Sequence, residues 1–194
     1  ASLTFTSANW NIAQSVLVTG ANDVLADGSI NYEVVLHPTA SSDGTYLAVA
    51  DEHVSLTNAD DETAGIVVNP TAGLVTSEMG GSATFTLVLT SQPTMNVTIP
   101  VSSARLTEGT VSPASVTFTA LDWNVPQTVT VTGVDDHTVD GDTLYTVTNG
   151  VAVSGDSSYN GINAADVSVT NHATPLPLGE IIPVSTLALD FTGF

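Results

Sequence analysis

Ser82-Ala-Thr-Phe-Thr-Leu-Val-Leu-Thr90 alternates inward and outward residues along its length. Successive strand side chains point to opposite faces, so this spacing predicts a strand that buries Ala83, Phe85, Leu87 and Leu89. The same period recurs at Val97, Ile99 and Val101, at Val116 and Phe118, and at Val167 and Val169. Gln127-Thr-Val-Thr-Val-Thr132 turns Val129 and Val131 to one side and three threonines to the other. Turn residues such as Met79-Gly-Gly-Ser and Asp140-Gly-Asp separate these runs, and no segment has a helical period. The pattern predicts an all-β fold of antiparallel, immunoglobulin-like β-sandwich repeats.

Working outward, the chain repeats itself at an offset of 113 residues, Leu3 falling on Val116. Leu3-Thr-Phe-Thr-Ser-Ala-Asn-Trp-Asn11 matches Val116-Thr-Phe-Thr-Ala-Leu-Asp-Trp-Asn124. The match runs on without a gap through Gln14/Gln127, Asp23/Asp136, Asp27/Asp140, Tyr32/Tyr145, Asp43/Asp156, Tyr46/Tyr159 and Asn58/Asn171. This is an internal repeat. Only the later copy has a preceding stretch, residues 65–113, so residues 1–62 form an incomplete half-domain and residues 63–173 a complete sandwich. Trp10 and Trp123 share a repeat position, which predicts a packing role for both.

Composition narrows the function classes. Twenty Asp and Glu face a single basic residue, Arg105, for a net charge of −19. Nothing can neutralise phosphates, which argues against nucleic acid or an anionic membrane surface as partner. Lys and Arg salt bridges are lost as a means of stabilisation. The chain has no cysteine, hence no disulfide framework or thiolate site, and no apolar run long enough to span a membrane. Thr-rich strands, no lysine and Ala1 as a mature end predict a secreted or surface protein of a bacterium.

Thr132-Gly-Val-Asp-Asp136, followed by Asp140-Gly-Asp142 leading into a strand, resembles the Calx-beta family. So do the entry Ser77-Glu-Met-Gly-Gly-Ser82 and the acidic exit Leu56-Thr-Asn-Ala-Asp-Asp-Glu62. The Phe-Thr-x-x-x-Trp-Asn core is similar to the tandem Calx-beta-like repeats of large bacterial surface proteins. The resemblance covers about residues 1–172. It implies calcium held by clustered carboxylates at one end of each sandwich. Carried over by position, the ligands are Glu78, Asp135, Asp136, Asp140 and Asp142 in the second copy, and Asp23, Asp27, Asp60, Asp61 and Glu62 in the first. Asn22 stands where the second copy has Asp135, and the second copy ends Asn171-His-Ala-Thr without an acidic exit. Independently of the family, Ca2+ takes six to eight oxygens, which adjacent loop aspartates can supply. Asp and Gly also favour tight turns on their own account, so turn chemistry is the rival explanation.

Catalysis is not expected. His37, His53, His137 and His172 show no zinc spacing, there is no nucleophile elbow, and aromatic residues, at 6%, are too sparse for a sugar-binding cleft. His53 and His172, in or beside strands facing loops, read as surface residues rather than ligands. After the second copy comes a Pro-rich spacer and a strand-like tail, residues 174–194, with Leu187, Ala188, Leu189 and Phe191. The tail lacks a home in the counted domain, while the half-domain lacks strands. The expectation is therefore self-association, in which residues 180–194 of one copy complete the half-domain (residues 1–62) of the next. Such a head-to-tail contact does not close on itself and builds a filament. Ile182-Pro-Val-Ser185 echoes Ile99-Pro-Val-Ser102, and Glu180 is a candidate for the missing acidic ligand. The alternative is a fragment or stalk module of a large bacterial surface adhesin.

Overall fold

A computed structural model describes residues 2–37, 41–138 and 140–174. The tail residues 180–194, with Glu180 and the Ile182 echo, lie outside the described residues. The chain forms β1 (Ile30–Leu36), the single helical turn α1 (Gly44–Leu47), β2 (Glu52–Asn58), β3 (Ile66–Asn69), β4 (Leu74–Ser77), β5 (Ser82–Leu89) and β6 (Val97–Ser103). It continues with β7 (Gly109–Ser112), β8 (Ser115–Phe118), β9 (Gln127–Gly133), β10 (Thr143–Asn149), β11 (Val153–Ser154) and β12 (Val167–His172).

Strands β3 to β12 build the immunoglobulin-like β-sandwich that the alternation predicts. One sheet orders β3-β5-β9-β7, the other β11-β6-β10-β12-β4, with β8 on the far edge of β6. All pairs are antiparallel except β12 with β4, which run parallel. That pairing was not expected from the hairpin-like spacing, because it joins the two ends of the domain.

The core lies between the sheets. Phe85, Leu87, Val97, Ile99, Phe118, Val129, Val131, Val147, Val167 and Val169 are buried there, with Trp123 packed against them. Each such side chain contributes roughly 1.5–3 kcal/mol by leaving water. Polar strand positions, mostly threonine, form the outer faces. Some polar groups are buried with partners: the Tyr159 hydroxyl donates to the Ser91 carbonyl at 2.6 Å while accepting from the Ser91 N–H at 3.0 Å.

The first copy folds differently from the same residues. Its counterparts of β10 and β12 pair with each other as β1 and β2, in a sheet of their own. Residues 2–5 and 14–20, the counterparts of β8 and β9, have no strand structure. Phe5 is 54% exposed where Phe118 is 0%, Tyr46 61% where Tyr159 is 1%, and Val54 47% where Val167 is 0%. Trp10 is 67% exposed, contrary to the packing role expected of it, whereas Trp123 packs against the core of the second copy.

The two copies touch through one edge. Gln92 N–H donates to the Val24 carbonyl at 2.8 Å, Leu25 bridges Gln92 in parallel, and Ser158 Oγ donates to the Ala26 carbonyl at 3.1 Å.

Candidate metal centre

Strand β4 ends at Ser77, β9 ends at Gly133, and β10 begins at Thr143. These three termini lie at one end of the sandwich, so the residues just beyond them converge. One carboxylate oxygen each from Glu78, Asp136 and Asp140 lies within 4.8 Å of the others, burial decreasing from Glu78 through Asp136 to the exposed Asp140. The loop is shaped locally. Asp136 Oδ1 accepts the Thr138 N–H at 2.9 Å, and Gly141 adopts φ +78°, a left-handed turn that a side chain would strain. Its counterpart Gly28 adopts φ +88°, so the Asp-Gly turn is the same in both copies.

The other two predicted ligands of this end are turned aside. Asp135 accepts from its own loop, from the His137 N–H at 2.8 Å, and pairs with His137 Nδ1 at 2.9 Å. Asp142 pairs with His172 Nδ1 at 2.7 Å and accepts the Ala173 N–H at 3.2 Å. These bonds hold both carboxyls below their ordinary values, the His137 backbone bond acting first for Asp135 and the His172 ring for Asp142. His53 and His172 lie at the surface, as expected, with side chains 54% and 51% exposed. At the surface all four histidines pair with carboxylates: His37 with Asp51 at 2.8 Å and His53 with Glu33 at 2.9 Å complete the set. With lysine absent, imidazoles serve as partners for these carboxylates.

In the first copy, Asp23, Asp27, Asp60 and Glu62 line one recess beside the junction with the second copy, and Asp61 is not among its walls. Asp60 Oδ2 accepts the Gly28 N–H at 2.6 Å and Asp60 Oδ1 the Glu62 N–H at 3.0 Å. Those two backbone bonds hold the Asp60 carboxyl low. Glu62 is pushed up, first by desolvation, then by sharing a hydrogen bond with Asp60 and by the charges of Asp61 and Asp60. A carboxylate in that position gains from a nearby cation.

The donor set fits a hard divalent cation. Every group is a carboxylate oxygen, and two oxygens bound at 2.3–2.6 Å to one Ca2+ lie at most about 5 Å apart, which accommodates the Glu78, Asp136 and Asp140 spacing. Water and backbone carbonyls would complete the shell.

One buried acid escaped the sequence reading. Glu108 is 2% exposed, with Arg105 Nη2 at 3.7 Å from Oε1 and Asn171 Nδ2 at 3.4 Å from Oε2. It sits under the same end of the sandwich, its carbonyl accepting the Val134 N–H at 3.0 Å. The chain thus keeps one Arg–carboxylate pair after all. The available signal was the spacing of its single arginine, three residues before a glutamate.

No family model matches the chain, and no curated protein matches it. Among solved structures it is similar to the apo form of the Calx CBD1 domain, at 11% identity and TM-score 0.44, covering 59% of this chain and 100% of that one. It is also similar to domains 1–6 of the surface layer protein SbsC, at 24% identity and TM-score 0.38, over 65% of this chain and 15% of that one. A third similar structure is the periplasmic chaperone SfaE, at 11% identity and TM-score 0.42, over 59% of this chain. The chain spans 61% of that chaperone's length. These likenesses are of fold.

Proposed function

We propose that this chain is a non-catalytic structural subunit of an extracellular, calcium-stabilised filament at a bacterial surface. Residues 1–62 are an incomplete repeat, 63–173 a complete one, and 174–194 a spacer and tail that completes residues 1–62 of the neighbouring subunit. The observation that carries this reading is the contrast within one chain. Side chains that are wholly buried in the second copy, Phe118, Tyr159 and Val167, have counterparts Phe5, Tyr46 and Val54 that stand open to solvent. A sandwich face of that size, left uncovered, is an interaction surface. Ca2+ at Glu78, Asp136 and Asp140, and at the recess of Asp23, Asp27, Asp60 and Glu62, would neutralise carboxylates that no lysine can meet. At the recess it would also stiffen the junction between copies.

The contact of Val24 and Ala26 with Gln92 and Ser158 favours a second reading, a stalk module of a large adhesin whose adjoining sequence supplies the missing strands. Electron microscopy of the purified chain, with and without a calcium chelator, separates the two. The filament reading expects fibres that fray on chelation and re-form when Ca2+ is restored. Monodisperse particles in both conditions would sink it in favour of the stalk.

A further inference from the structure

Resting on the head-to-tail reading, we infer that residues 182–186 of a second copy enter the first repeat at the place that β6 holds in the second. There they run antiparallel to β1 on one edge and recruit residues 2–5 as a strand on the other.

The argument begins with what β6 does. It is the strand that joins two otherwise separate pieces, pairing with β10 and β11 on one edge and with β8 on the other. β8 has no other partner among the described residues. In the first repeat the counterparts of β10 and β12 are formed as β1 and β2, and the outer edge of β1 is unpaired among the described residues. Residues 2–5, the counterpart of β8, are not a strand although they read Ser-Leu-Thr-Phe against Ser-Val-Thr-Phe. One strand in the place of β6 satisfies both edges at once.

The occupant is chosen by its sequence. Ile182-Pro-Val-Ser185 repeats Ile99-Pro-Val-Ser102 of β6, where Ile99 and Val101 are buried and Pro100 is exposed. Pro lacks an N–H and is confined to places where the ladder can spare one, so its coincidence with Pro100 is more selective than an apolar match. Transferring the observed pairs Val101↔Asn149 and Ile99↔Val116 sets Val184 opposite Leu36 and Ile182 opposite Leu3. This register puts Glu180 at the place of Val97, at the end of the strand remote from Glu78. Glu180 therefore does not act as the missing acidic ligand, and the inserted strand starts after it.

The copy is a second one because of where the chain departs. Thr174 is tied by its N–H to Glu78 Oε2 at 2.5 Å, at one end of the sandwich, whereas the first repeat meets Gln92 and Ser158 at the other. The eight residues of β5 put those ends about 24 Å apart. The ten steps from Thr174 to Val184 reach at most ~36 Å when fully extended, too short to return the length of the sandwich and then run the further ~20 Å along β1 to Leu36.

The chain has no cysteine, so an introduced pair reports cleanly. Opposed strand residues sit about 4.5–5.5 Å apart at Cα, within disulfide reach. In the full chain carrying Leu36→Cys and Val184→Cys, mild oxidation is expected to give a ladder of covalent oligomers on a non-reducing gel. The ladder should be at least tenfold stronger than with Leu36→Cys and Ser185→Cys, whose side chains point to opposite faces. Filaments that form without that preference overturn the register and leave the head-to-tail reading standing. A covalently closed monomer overturns the exchange between copies. Absence of both filaments and ladder sinks the filament reading itself.

Discussion

Asp43 and Asp156 occupy one repeat position and do one thing: each accepts a backbone N–H two residues on, from Thr45 at 2.9 Å and Ser158 at 2.8 Å. Gln14 and Gln127 likewise both donate to a carbonyl ten residues back, at 2.8 and 2.9 Å. Asn58 and Asn171 both reach the carbonyl of residue 21 or its counterpart 134, at 2.7 and 3.1 Å. Where a bond needs only neighbours that both copies possess, both copies make it. Asp156 adds a partner that Asp43 lacks, the Thr94 N–H at 2.8 Å. Burial pushes the Asp156 carboxyl up, but the N–H groups and hydroxyls of Thr94 and Ser158 more than reverse this and hold it below its ordinary value. A depressed carboxyl stabilises the fold above the unfolded value of about 3.9, and that contribution is lost as pH falls through the lower, folded value. Asp156→Asn is therefore expected to cost about 1–2 kcal/mol at neutral pH. Its melting temperature should converge with that of the parent as the pH drops below about 4. A gap that persists unchanged into strong acid would show that the charge is not what Thr94 and Ser158 hold.

At the scale of elements, the two copies are a controlled comparison. Thr4-Phe-Thr6 and Thr117-Phe-Thr119 are identical, yet only the second is largely strand, because β8 has β6 beside it. β9 forms between β5 and β7, and its counterpart, residues 14–20, is without strand structure for want of both. β1 and β2 form in the first copy because each is the other's partner. Strand formation follows neighbours here, since an unpaired strand leaves its N–H and C=O groups to water and has no sheet face to pack on. Hydrogen exchange followed by mass spectrometry should find the amides of residues 2–5 and 14–20 exchanging at least a thousandfold faster than those of β9, if β9 opens only with the domain. In the unassembled chain, equal protection would mean that the first copy finds its missing partners within its own chain; protection that appears only on assembly is what pairing with a second copy would give.

For the whole molecule, the junction decides whether the two copies move as one. It rests on the Gln92 N–H, the Ser158 hydroxyl and the recess that they border with Leu25, Ala26 and Asp27. Removing both donors with Gln92→Pro and Ser158→Ala is expected to leave the second copy folded while the radius of gyration in small-angle scattering rises. An unchanged radius would mean that other contacts fix the junction. The strong negative charge acts at the same scale, favouring solubility and opposing the close approach of acidic surfaces.

The alternation of Phe85, Leu87 and Leu89, of Val97, Ile99 and Val101, and of Val129 and Val131 determined by itself that the chain is a β-sandwich with those residues inside. The match at 113 residues determined that residues 3–58 and 116–171 are copies of one another. Tertiary structure alone decided which carboxylates meet. Glu78, Asp136 and Asp140 converge from loops after β4, after β9 and before β10, while Asp135 and Asp142 are taken by His137 and His172. It also decided the parallel pairing of β4 with β12 and the burial of Glu108 beside Arg105. Alternation is a local property, carried by every pair of neighbours along a strand. Convergence of loops from two sheets depends on how the strands are ordered and twisted, and no stretch of sequence contains that.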